Sequence, residues 1–149
     1  MTAPFAAVFD QFIIAQEGVY PQALAELRAG QKRSHWMWFI FPQIVGLGHS
    51  ATARRYALHG LEEARNYFDH PVLGERLRQC TRAVLHKAGV PSEPGPTIHE
   101  IFGSPDDLKF HSSMTLFSRA APHEPLFRRA LVVFYEGIDD IETLKRLPI

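Results

Sequence analysis

A chain of 149 residues, 46% of them hydrophobic, is the size of one domain built round one core. Sixteen Lys and Arg balance sixteen Asp and Glu, which excludes a whole-molecule field that would draw the protein to nucleic acid or to an acidic membrane; an anion site must be local. The one cysteine, Cys80, excludes an internal disulfide framework and a thiolate zinc cluster. The first residues lack the pattern of a secretory leader, and no run approaches the roughly 20 apolar residues of a membrane span, so the expectation is a cytoplasmic protein, residues 1–149 forming a single globular domain.

In chain order, Phe9, Phe12, Ile13 and Gln16 share the face of a first helix. Pro21 marks the start of a second, in which Tyr20, Leu24 and Leu27 align and Gly30 supplies the stop. Trp36 to Phe41 is apolar on both faces and admits either a short extended segment or a buried helical turn. Ser50 is placed to cap a short helix through Tyr56, and Leu61, Ala64 and Phe68 mark another. From Pro71 to Ala88, Leu73, Leu77, Cys80, Val84 and Ala88 repeat at helical spacing, so that face is core and Cys80 lies within it. Val90 to Pro96 holds three prolines and reads as a surface loop. Ser104-Pro-Asp-Asp107 and Asp139-Asp-Ile-Glu142 have the spacing of capping boxes, and Leu126, Ala130, Val133 and Phe134 form a helix ending at Gly137. The fold expected is mainly α, compact, with about seven or eight helices, a number resting on these periodicities.

Chemistry concentrates in two places. Lys32 to Gln43 sets Trp36, Trp38, Phe39 and Phe41 beside Lys32, Arg33 and His35. Large aromatics usually fill cores, yet a Trp that follows two cations and a His has the makings of a pocket wall: Trp36 to stack a base or sugar, Lys32 to meet phosphate, His35 to move a proton. In the helix from Pro105, Phe110, Met114 and Phe117 form a core stripe with Asp106, Lys109 and Ser113 along its margin. Asp106 and Lys109 make at least a surface pair; as a site, Asp106 would orient a hydroxyl or water, Lys109 hold a negative group, and Ser112 and Ser113 add hydroxyls. Between these segments, Gly46-Leu-Gly48 before Ser50 reads as an ordinary glycine turn rather than an anion loop, lacking the dinucleotide and P-loop patterns. The eight histidines include no pair four apart on a helix, and no nucleophile elbow or calcium loop occurs, so no metal site and no cofactor is expected.

The words His-Trp-Met-Trp-Phe-Ile-Phe-Pro-Gln (35–43), Gly-Leu-Gly-His-Ser (46–50), Glu-Ala-Arg-Asn-Tyr (63–67), His-Pro-Val-Leu-Gly (70–74) and Ser-Ser-Met-Thr-Leu-Phe (112–117) resemble the bacterial domain-of-unknown-function 1810 family, from about Phe9 to Leu144. The resemblance implies a mainly helical fold and brings no established reaction. The calpastatin label that some members carry does not suit this chain, because calpain-inhibitory segments are polar and disordered. A fainter likeness, carried by no matched motif, is to small bacterial proteins that cleave N-glycosidic bonds in ADP-ribose and riboflavin intermediates.

The functional expectation is therefore a pocket for a small anionic, nucleotide-like or ribosyl metabolite, formed where Lys32–Gln43 meets the helix from Pro105. Its catalytic candidates are His35 and Asp106, its binding candidates Lys32, Trp36, Lys109, Ser112 and Ser113, and hydrolase or N-glycosidic chemistry is its reaction class. The alternatives are a binder without proton transfer and an interaction protein whose Trp-Met-Trp surface is covered by a partner or a second copy.

Overall fold

A computed structural model describes residues 4–147, with side chains from residue 9 onward. Among them the helices run α1 (Pro4–Gln16), α2 (Tyr20–Ala29), α3 (Met37–Ile40), α4 (Ala51–Arg55), α5 (Leu61–Asp69), α6 (Leu73–Lys87), α7 (Ile98–Phe102), α8 (Asp106–Ala120), α9 (Pro125–Tyr135) and α10 (Ile141–Lys145). The proline-rich loop folds back as a two-stranded antiparallel ribbon, β1 (Gly89–Val90) with β2 (Glu93–Pro94). The domain is mainly α, and the helices beyond the seven or eight read from periodicity are short: α3 has four residues and α7 five, too few for a 3.6-residue period to repeat. Trp36–Phe41 thus takes the helical alternative, with Met37, Phe39 and Ile40 buried.

α8 is the central element. Phe110, Met114, Leu116 and Phe117 are buried along it, and so are Ser112, Ser113 and Thr115, which means that α8 has interior neighbours almost all round. It packs on α5, α7, α9 and α10. Rings link these layers: Phe110 meets Phe41 at 5.0 Å edge-on and stacks on Phe102 at 4.9 Å, while Phe117 lies 5.6 Å from both Tyr67 and Phe127. Such pairs add of the order of 1 kcal/mol each beyond the area they bury. Within so apolar a helix the hydroxyls bond back to the preceding turn, Ser112 to Leu108 O at 3.1 Å and Thr115 to His111 O at 2.9 Å.

The local signals act with two shifts. α8 opens without a side-chain cap, its N-cap being Pro105, so the Ser104 box does not form; Asp106 and Asp107 still complement the helix dipole. At α10 the cap is Asp140 rather than Asp139, accepting from Thr143 N. A full capping box closes instead at Thr97–Glu100, the start of α7. Gly74 is required by packing: a Cβ there would stand 1.9 Å from Phe68 O, where α6 crosses the end of α5. Among the described residues no helix is long and apolar enough to cross a membrane.

Cys80 lies at 0% exposure on the buried face of α6, and burial pushes its thiol up to about 12. Cys80→Ser is expected to cost about 1–3 kcal/mol in denaturant unfolding, because a hydroxyl would be buried there without a good partner. In the native protein Cys80 stays unreactive towards a thiol reagent at pH 8 and reacts once the chain is unfolded; fast native reaction would show that the α6 face is open.

Candidate functional site

The site is assembled round a buried carboxylate. Glu26, on α2 and 7% exposed, accepts hydrogen bonds from Arg33 N (2.8 Å), Ser34 N (3.1 Å), Ser34 Oγ (2.6 Å), Trp36 Nε1 (2.9 Å) and Gln22 Nε2 (3.0 Å). Burial opposes its charge, but the bonds from the Ser34 hydroxyl, the Arg33 amide, the Trp36 indole and Gln22 outweigh burial and hold it at about 2. No lysine or arginine pairs with it among the described residues. Glu26 therefore ties the 33–36 turn to α2 and draws the indole of Trp36 into the interior.

That turn delivers Lys32 to α8. The backbone N of Lys32 donates to Ile101 O at 2.7 Å, and its ammonium reaches Asp106 Oδ2 at 2.9 Å, with the two side chains only 8% and 17% exposed. The second oxygen of Asp106 meets Lys109 Nζ at 3.3 Å, one turn along α8. Each ammonium also lies over an indole, Lys32 at 5.1 Å from the Trp36 ring and Lys109 at 5.0 Å from the Trp38 ring. Two cations share one carboxylate, leaving a local surplus of one positive charge.

Beside this cluster lies a cleft of about 330 Å³ between the start of α8, the start of α10 and the arm that follows α3. Leu47, Ala53, Pro105 and Leu108 give it apolar walls, and Gln43, Lys109, Ser112, Asp140 and Glu142 bring polar groups to it, the Glu142 carboxylate being paired with Lys145 and Arg146. The arm is held by a parallel bridge, Leu58 N donating to Gln43 O at 2.9 Å and Val45 N to Leu58 O at 2.8 Å. Asp140 is fixed as the cap of α10: its Oδ2 accepts from Thr143 N, Thr143 Oγ1 and Ser112 Oγ, and its own N donates to Thr115 Oγ1 at 2.9 Å. Ser112 and Asp140 are therefore held in place by bonds within the protein.

The structure brings Lys32, Asp106 and Lys109 together and sets Lys109 and Ser112 on one cleft wall. It separates the others. Trp36 is 0% exposed with its N–H spent on Glu26, so it packs in the core and cannot stack a ligand. Ser113 is also 0% exposed, and its hydroxyl has no partner among the described residues; it is an interior group rather than part of a rim. His35 is exposed and bonds to none of the cluster. Trp38, which lies against Lys109, along with Gln43 and Asp140, was not singled out as a site residue in the sequence. Trp38 sits in a run apolar on both faces, and the spacing of Asp140 marks only a helix cap. Gly48 lines the cleft, and Ser50 caps α4 through Ala53 N at 3.1 Å, so the glycine turn shapes a wall.

Fold and site together define a small helical domain with a lysine–aspartate–lysine cluster whose Lys109 lines a cleft. Residues 7–147 match the family model described as protein of unknown function (DUF1810), and the chain belongs to that family. It is similar to the conserved hypothetical protein Rv1873 from Mycobacterium tuberculosis, known from a crystal structure, with 47% identity, 99% of each chain covered and a TM-score of 0.89. No curated protein matches the chain. Among the described residues no group of three or more His, Cys, Asp or Glu gathers as a metal site would require.

The Glu26 anchor has a pH signature. Its folded value of about 2 lies below the ordinary 4.5, so the carboxylate contributes stability above about pH 4.5 that is lost as pH falls towards 2. Glu26→Gln is expected to cost about 3 kcal/mol at neutral pH by the same linkage. Urea unfolding of both forms from pH 7 to 2 checks this: their stabilities should converge below pH 4.5, and a constant gap would remove Glu26 from its anchoring role.

Proposed function

We propose that the cleft binds a small anionic metabolite of nucleotide-like or ribosyl type, with Lys109 as the group that receives its negative charge. The supporting observation is the shared carboxylate: Asp106 already holds Lys32 at 2.9 Å, so Lys109, at 3.3 Å and 24% exposed, can turn to a ligand anion without leaving Asp106 unpaired. Gln43, Ser112 and Asp140 offer an amide, a hydroxyl and a carboxylate, a set suited to sugar hydroxyls, and the apolar wall formed by Leu47 and Leu108 suits a ring face. Hydrolysis of an N-glycosidic bond is the reaction such a site would best serve, Asp106 orienting the ribosyl hydroxyl or the water. His35 has no part in this arrangement. The reading in which a Trp-Met-Trp surface docks a partner gains no support, because Trp36 and Met37 are 0% and 1% exposed.

Thermal-shift screening against nucleotides, ADP-ribose, NAD and sugar phosphates tests the proposal. A ligand at a hundred times its Kd is expected to add about 2.7 kcal/mol of stability. Lys109→Ala should remove most of that gain while leaving the unliganded protein within about 1 kcal/mol of the parent, since Asp106 keeps its pair with Lys32. A ligand whose effect survives Lys109→Ala unchanged would place binding elsewhere. For any ligand found, chromatographic release of the free base by the parent and not by Asp106→Asn would assign the glycosidic step.

A further inference from the structure

On the opposite pairing of elements, where α2 packs against α6, a second cleft of about 320 Å³ is lined by Arg28, Gln79, Arg82, Ala83 and His86. Its lining contains no acidic residue. Gln79, Arg82, Ala83 and His86 fall at i, i+3, i+4 and i+7 on α6 and therefore share one helical face, while Arg28 enters from the last turn of α2. Among the described residues neither arginine has an ion pair or a hydrogen bond, in contrast to Arg78, Arg119 and Arg146, each of which holds a carboxylate. A helix dipole accounts for a basic group in a last turn, as at Arg28 and His86, but Arg82 lies earlier in α6. Arg28 and Arg82 are both exposed and face a cleft whose lining holds no acidic residue, so an anion between them would meet two guanidinium groups and no carboxylate.

The rest of the cleft is set rather than loose. Gln79 accepts from the Tyr20 hydroxyl through Oε1 and donates to Glu75 through Nε2 at 3.3 Å. Burial is the main cause that pushes the Tyr20 hydroxyl up to about 12, and Arg28 and Arg76 both act on it in the opposing direction. Arg76 is itself fixed, lying 5.0 Å over the Tyr20 ring and donating to Gln16 Oε1 at 3.1 Å. One wall is therefore held by aromatic and amide contacts, and the guanidinium groups of Arg28 and Arg82 remain to be paired.

We propose that the α2–α6 cleft is a second binding site, for a phosphate- or pyrophosphate-bearing small molecule clamped between Arg28 and Arg82. Guanidinium suits this chemistry because it presents paired N–H donors that match the oxygens of a phosphoryl group. The site shares no lining residue with the cleft beside Lys109, so it stands whether or not that cleft binds a metabolite.

Calorimetric titration of the full chain with inorganic phosphate and inorganic pyrophosphate in physiological salt tests it, using Arg28→Ala, Arg82→Ala and, as a control, Arg129→Ala on the exposed face of α9. The expected result is saturable binding of pyrophosphate, weakened about tenfold or more by either cleft variant and unchanged by the control. Circular dichroism keeps the test meaningful, since an exposed Arg82 side chain can be removed without unfolding α6. Absence of saturable binding, equal weakening in all three variants, or an oligothymidylate binding more tightly than pyrophosphate would each overturn the small-molecule site.

Discussion

The constraint on which the molecule depends is a carboxylate that no cation pairs among the described residues. Glu26 is buried among donors that are all N–H or O–H groups, and it stays charged because they out-compete the loss of water. Its bonds to Arg33 N and Ser34 N fix the backbone that leaves α2, and its bond to Trp36 Nε1 turns one of the two tryptophans inward. Trp36 then meets Phe41 at 6.3 Å, and Phe41 meets Phe102 and Phe110, so the turn, α3, α7 and α8 are keyed to one another through that anchor. Were the carboxylate removed, the indole N–H would be left buried without its acceptor, a deficit of the order of 1–3 kcal/mol.

The helices most plainly legible in the sequence are those that face water on one side. α6 shows Leu73, Leu77, Cys80 and Val84 on one face against Glu75, Arg82 and His86 on the other, and such contrast is what periodicity records. α3 offers no contrast, since it is almost wholly interior, and a helical turn cannot be told from a strand there until its hydrogen bonds are known. Capping positions slip by a residue for a different reason. Asp139 and Asp140 are chemically alike, and the choice falls to Asp140 because Ser112 and Thr115 of α8 hold it, a tertiary preference with no local trace.

The site was half legible. Lys32, Asp106, Lys109 and Ser112 stand out as residue types, and the structure joins the first three and sets Ser112 on the same cleft wall as Lys109. The role of Trp36 was not legible because it depends on Glu26, a charged residue whose burial no local pattern announces. Polar residues around an aromatic suggest a pocket wall when their side chains carry the polarity. Here much of it belongs to the backbone amides of residues 33 and 34, which sequence cannot display.

Lys32 and Lys109 differ in what they can do, although they share a partner. Lys32 is 8% exposed, over the Trp36 ring and against Asp106, and removing it from water is offset only while both contacts hold; it is a structural clamp between the 33–36 turn and α8. Lys109 is 24% exposed and lies in the wall of a cleft, so its bond to Asp106 competes with water and can be exchanged for another anion at small cost. A lone Lys–Asp pair cannot give up its lysine without stranding a carboxylate. A carboxylate already satisfied by a second, buried lysine can, and that asymmetry is what the proposed role of Lys109 rests on.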